Sequence, residues 1–267
     1  MPTQILFPPF HPHKSWRAVD DRIRGGSSVS HLDPLADSSS AGAVRFWGTL
    51  DTQTLGGAGF ASQCHAFEHR LRLPKDEYAG LAITFSAPSA KQPAPHHPAS
   101  TEKPRPVEPY EYTLTLKTST PSLRPDGRRE STISYEHTFP LSGSLTAPTR
   151  LVIPWHAFEA TYRGRPLPAT DPKYIPLDPG STTENGKTRG GIAEMSVMCR
   201  SAFGRQEGEF DLRLIRIEAV GDEERAWDLE AQGRGRRFRA VSWKALGLAA
   251  MLCVGLTVAV RFFDWRL

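Results

Sequence analysis

The stretch EFDLRLIRIEAV, residues 209–220, sets Leu212, Leu214, Ile215 and Ile217 in near alternation with charged residues. A period of two puts apolar side chains on one face of a strand and polar ones on the other, whereas a helix needs a period of 3.6. YEYTLTLKT, residues 110–118, repeats the pattern cleanly through Tyr112, Leu114 and Leu116. SSVSHL (27–32), AVRFWGTL (43–50), GAGFASQC (57–64), LAITFSA (81–87), STISYEHTF (131–139), TRLVIPW (149–155) and IAEMSVMCR (192–200) read as further strands. The 23 prolines and 22 glycines supply the turns between them. SSVSHL and AVRFWGTL, separated by DPLADSSSAG, predict a hairpin. Strands with one apolar face each and only turns between them bury those faces by stacking two sheets, so the expected class is mostly β, a sandwich of jelly-roll type.

Two stretches interrupt the rhythm. Residues 86–109 hold seven prolines and no periodicity, which predicts a disordered Pro-rich insert between two paired strands, with His96 and His97 in solvent. Residues 168–190 form a polar loop with the character of a tolerated insertion.

The ends differ in chemistry from the middle. The net charge is +4, yet residues 231–244 contribute Arg234, Arg236, Arg237, Arg239 and Lys244 without an acid, which leaves residues 1–230 slightly acidic. The folded part therefore lacks the clustered cations of a nucleic-acid surface, and no nucleic-acid partner is expected. ALGLAAMLCVGLTVAV, residues 245–260, is uncharged, and the helix from Trp243 to Phe263 would reach roughly 31 Å, about a hydrocarbon thickness. Lys244 and Arg261 can snorkel, while Trp243 and Phe262 suit the interface. The expectation is one C-terminal transmembrane helix, a tail anchor over 244–263, behind a basic linker at 229–243. The mitochondrial outer membrane is favoured, with the endoplasmic reticulum as the alternative. Residues 1–14, with four prolines and no arginine, form a leader without a targeting signal.

Catalytic patterns are weak. GGAGF at 56–60 lacks the third dinucleotide-binding glycine, and neither GK[ST] nor GxSxG occurs. His65 and His69 beside Cys64 would share a helix face, but on a strand they stand about 13 Å apart, too far for one metal. Three cysteines without CxxC spacing fit a reducing compartment, with Cys64 and Cys199 as small buried hydrophobes. SWRAVDDRIRGGSSVSHL, residues 15–32, sets Asp20 beside Asp21. An acid–base pair is one reading. Neighbours on a strand point to opposite faces, however, so a structural corner is favoured, with a carboxylate accepting from the Gly25 and Gly26 amides or pairing with Arg22 or Arg24.

SWRAVDDRIRGGSSVSHL, GTLDTQTLGGAGFASQ, YAGLAITF, YTLTLK, LVIPWHAFEATYRGRP and RSAFGRQEGEFDLRLIRIEAV together resemble the complex I intermediate-associated protein 30 family, fungal branch, over about residues 10–220. The resemblance implies a galactose-binding-domain-like sandwich across 15–228 and a non-enzymatic, chaperone-like assembly factor. It implies no cofactor, with client proteins, among them respiratory complex I subunits or assembly intermediates, as partners. Onto this sequence it carries Asp20, Asp21, Arg22, Gly25, Gly26, Ser27 and Ser28, with Arg163, Arg165 and Arg200 from two later blocks and Trp155 beside them. These are the expected interaction face, on which Asp20 and Asp21 meet Arg163, Arg165 or Arg200. A module binding carbohydrate or another small polar ligand, with Trp155 or Trp47 as an exposed platform, is the alternative, and an oxidoreductase role finds no fingerprint.

Overall fold

In the computed structural model the described residues are 3–7, 16–35, 42–88, 111–125, 130–141, 147–180, 182–184 and 187–221. They form β1 (Gln4–Phe7), β2 (Trp16–Ala18), β3 (Val29–Pro34), β4 (Val44–Leu50), β5 (Phe60–Leu71), β6 (Gly80–Ser86), β7 (Glu111–Lys117) and β8 (Ile133–Pro140). There follow β9 (Thr149–Pro154), β10 (Glu159–Tyr162), β11 (Arg165–Pro166), β12 (Thr182–Glu184), β13 (Lys187–Arg189), β14 (Ile192–Arg200) and β15 (Gly208–Val220). The only described helices are short 3-10 turns at Asp21–Arg24 and Trp155–Ala157.

Two antiparallel sheets enclose the core. One has the order β3-β4-β15-β6-β9, with β1 also on β15, and the other runs β11-β10-β8-β7-β14-β5-β2. Their inner faces supply the residues that the alternation selects. Tyr112, Leu114 and Leu116 of β7 are fully buried beside Phe46, Phe139, Met195, Val197, Leu212 and Leu214. The near alternation of residues 209–220 has a structural cause. Opposite β6 the register slips between Leu214 and Arg216, a bulge at Ile215, so buried positions move from Leu212 and Leu214 to Ile217 and Ala219.

The 27–32 and 43–50 segments pair as the expected hairpin, β3 with β4. Two expectations need correction. β6 and β7 lie in different sheets, so the Pro-rich insert joins sheets and does not link paired strands; residues 89–110 themselves lie outside the described set. The 168–190 loop is integral to the domain. Leu177 enters the core, Leu73 N–H donates to the Pro179 carbonyl at 2.8 Å, and Tyr135 Oη donates to the Ile175 carbonyl at 2.8 Å. Apolar anchors spaced so widely in a polar segment leave no period to read.

Among the described residues no helix is long and apolar enough to cross a membrane. The expected anchor at 244–263, with Trp243, Lys244, Arg261 and Phe262, lies outside them, as do the expected linker 229–243 and residues 1, 2 and 8–14 of the expected leader, whose residues 4–7 instead form β1 on β15 with Phe7 in the core.

Cys64 and Cys199 are both buried, and burial pushes the Cys199 thiol well above its usual range. Thiolate is the nucleophile, so neither cysteine should take up iodoacetamide in the folded chain and both should after denaturation. Peptide mass mapping of alkylated protein checks this; rapid native labelling of Cys199 would contradict the packing.

Candidate functional site

The Asp-Asp block sits where the edges of the two sheets meet. β3 is an edge strand of one sheet, and β5, flanked by the three-residue β2, lies near the edge of the other. Asp20 closes extended backbone and Asp21 opens the 3-10 turn, which Gly25 ends in the left-handed region at φ 85°. Both carboxylates face the seam and are 3% and 0% exposed.

Each carboxylate bonds to both sheets. Asp20 accepts from the Ser30 amide (3.2 Å) and hydroxyl on β3, and from the Ser62 amide (2.9 Å) on β5. Asp21 accepts from the Ser28 amide (3.0 Å) and hydroxyl (2.6 Å) ahead of β3, and from the Phe60 amide (3.1 Å) at the start of β5. Arg22 donates to Asp20 at 3.1 Å across a half-exposed ion pair. Gln63 Nε2 completes the seam on the Ser30 carbonyl at 3.0 Å. Gly26 is glycine because a Cβ there would stand 2.4 Å from the Asp21 carboxylate.

The expectation for these aspartates is corrected in part. The Arg22 pair is present. The Gly25 and Gly26 amides, however, donate to the backbone carbonyls of Arg22 and Asp21 (both 3.1 Å), not to a carboxylate. Nor do the two side chains part to opposite faces, because the chain leaves β geometry between them.

The arginines expected to meet the aspartates do not. Arg163 and Arg165 flank the β10–β11 turn, beside Ile133 at the start of β8. Ser62 and Phe60 pair with Met198 and Arg200 at the far end of β14, next to the part of β7 that faces the end of β8. The aspartates and the 163–165 turn therefore lie toward opposite ends of the same sheet. Arg163, in the left-handed region at φ 55°, lies over the Tyr162 ring at 5.4 Å and donates to Ser131 Oγ. Arg200 is at the correct end but reaches along the outer face to Glu136 (2.6 Å) and Thr138 (3.1 Å). Ser27 Oγ lies 3.0 Å from Thr54 Oγ1.

Neither tryptophan is an open platform. Trp155 is 7% exposed, donating Nε1–H to the Tyr78 carbonyl at 2.6 Å where the chain crosses from β9 to β10. Trp47 stands on the outer face of β4, stacked on His31 at 4.4 Å, overlain by Arg45 at 4.8 Å, and bonded through Nε1 to Asp33 at 2.6 Å. His65 and His69 both fall on β5, and no cluster of three metal-ligating side chains occurs among the described residues.

The block Arg200–Phe210, which the resemblance carries onto the expected interaction face, holds a strained loop that the residue types do not announce. The loop 201–207 carries Ala202 and Phe203 with φ of 47° and 62°. For residues other than glycine this conformation costs roughly 1–2 kcal/mol each. Buried Ser201 fixes the loop by bonding to the Gly57 carbonyl (2.9 Å) and the Gly59 amide (3.0 Å). Buried Gln206 bonds to the Arg200 carbonyl (2.6 Å) and to both backbone groups of Glu111.

These features define an antiparallel two-sheet sandwich whose conspicuous carboxylate pair is a structural tie. The model of complex I intermediate-associated protein 30 matches residues 6–91. An uncharacterized protein of Schizosaccharomyces pombe is 33% identical over 208 residues, covering 78% of each chain. The chain belongs to the complex I intermediate-associated protein 30 family. Solved structures resembling it include PfGH50B (TM-score 0.35, 10% identity, 79% of this chain and 23% of that one) and the agarase AgWH50C (0.36, 7%, 82% and 24%). The chain spans about a quarter of those two proteins, and the likeness is too slight to inform its chemistry.

Replacing Asp21 by Ala strands the Ser28 and Phe60 amides at the seam. The chain should lose roughly 3 kcal/mol of stability in chemical denaturation. Gly26→Ala should destabilise in the same direction through its clash with that carboxylate. Unfolding midpoints within experimental error of the parent would refute the bridge.

Proposed function

We propose that the chain is a non-enzymatic assembly factor for respiratory complex I, a chaperone-like scaffold that binds client proteins. Family membership points to a role in complex I assembly and to the mitochondrion. The observation that carries the non-enzymatic part is the burial of Asp20 and Asp21 in structural hydrogen bonds. Each accepts from two amides and a hydroxyl and stands almost wholly out of solvent, so neither has an open path to substrate for general acid–base work. Neither tryptophan expected as the platform of the ligand-module alternative is free for that role, since Trp155 is buried and Trp47 is already stacked and bonded. The sandwich is taken as galactose-binding-domain-like, held at the mitochondrial outer membrane by residues 244–263 and contacting clients through loop surfaces.

Two experiments test this reading. Cells lacking the gene should show less mature complex I on native gels, with a subassembly accumulating, and the full chain should restore it; normal complex I in the null cells would remove the assembly role. A fluorescent tag at the amino terminus should label the mitochondrial rim with the full chain and become diffuse when residues 241–267 are deleted. Diffuse signal from the intact protein would remove the anchor.

A further inference from the structure

Among the described residues the two most exposed large apolar side chains are Phe203 (88%) and Ile23 (72%). They project from the same end of the sandwich. Ile23 lies in the 3-10 turn at Asp21–Arg24, which Asp21 ties to the Phe60 amide and whose Arg24 guanidinium lies over the Phe60 ring at 5.6 Å. The chain just before Phe60 is tied in turn to the Phe203 loop, through the Gly59 amide on Ser201 Oγ and a close approach of Gly204 to Gly57.

Folding alone does not account for Phe203. Its ring gains nothing from burial, and its backbone holds a conformation that bulky residues rarely adopt. The loop is nevertheless built firmly, on Ser201 and Gln206, which are 2% and 1% exposed. An aromatic side chain held outward on a rigid, strained support is the form of a binding anchor, because little ordering entropy remains to be lost on association.

We propose that this end is a protein-docking surface: Phe203 enters an apolar pocket of the partner, Ile23 packs beside it, and exposed Arg24 and Arg205 meet carboxylates on the pocket's rim. A protein fits better than a bilayer because the same end also carries acids. Glu207 bonds to Thr52 and Gln53, Glu111 lies 3.9 Å from Arg205, and Asp51 accepts hydrogen bonds from Thr54 and Gln53 that hold its carboxyl below the ordinary range. A continuous layer of anionic headgroups would face these carboxylates as well as the arginines, whereas a protein rim can set its carboxylates opposite Arg24 and Arg205 alone, and an aromatic anchor ringed by mixed charge is ordinary for a protein interface. The surface rests on the assembly-factor reading and supplies the face on which that reading operates.

Photo-crosslinking of the full chain in isolated mitochondria tests it. Benzoylphenylalanine introduced at position 203 or 23 should give one discrete protein adduct, absent when the probe stands at Ile175, a 60% exposed residue beside Tyr135. Phe203→Gly should reduce the adduct formed from position 23 by about tenfold or more, while the melting temperature stays level or rises as strain is released. Lipid adducts at 203, equal adducts at 175, an undiminished adduct in Phe203→Gly, or a fall in melting temperature would each overturn the docking surface. If the adducted protein is neither a complex I subunit nor an assembly factor, the surface stands and the assembly reading falls. If null cells lack complex I while Phe203→Gly restores it fully, the reading stands and the surface falls.

Discussion

Two buried carboxylates hold this sandwich closed along one edge. Edge strands present unpaired amides, and a pair of stacked sheets has such edges on both flanks. Here the amides of Ser28 and Ser30 on one side, and of Phe60 and Ser62 on the other, all converge on Asp20 and Asp21. A buried charge is tolerable when its lone pairs are filled, and an edge amide when it finds an acceptor. Each problem solves the other. Arg22 offsets one of the two charges from the solvent side, so the seam does not need a cation in the core.

The outer face of the seven-stranded sheet follows related rules. Its register sets Glu194 of β14 opposite Lys117 of β7, and Arg17 of β2 reaches the same carboxylate, at 3.2 and 3.4 Å. Glu136 of β8 receives Arg200 and Thr161. These long cations lie along the sheet, and Thr113 and Thr115 of β7 beside them are nearly inaccessible, at 1% and 6%. Paired in this way, ions on a sheet surface act chiefly to fix geometry, since their Coulomb attraction and desolvation largely cancel. On the other sheet Arg45 makes a two-point contact with Asp211, which holds its guanidinium above its ordinary pKa while it overlies Trp47.

Legibility in the sequence tracks the range of the interactions. Alternation in residues 110–118 named Tyr112, Leu114 and Leu116 as core because strand period is a local property, and the imperfection in 209–220 was itself the trace of the bulge at Ile215. The block at 15–32 was recognisable as a corner, with Arg22 as a partner, because those bonds span a few residues. Its remaining partners were not legible: Phe60 and Ser62 are 39 and 42 positions from the aspartates they serve. The same limit explains the misplaced arginines, since only the ladder from β5 through β14 and β7 to β8 shows that residues 163–165 and residue 20 stand toward opposite ends. Phe203 lies in the block that the resemblance carries onto an interaction face, but its outward strained placement is not legible, since one aromatic in a turn looks like any other until its backbone dihedral is known.

The aspartate tie also reaches the opposite side of its own loop. Asp21 fixes the Phe60 amide, and Ser201 bonds the backbone immediately before it, at Gly57 and Gly59. The turn bearing Ile23 and the loop bearing Phe203 are thus clamped to one short piece of chain from its two sides. A carboxylate that does no chemistry can still govern function by this route, because it sets the separation and rigidity of the side chains the domain presents. The Asp-Asp block and the exposed aromatic, which read as unrelated motifs some 180 positions apart, are two ends of one hydrogen-bonded support.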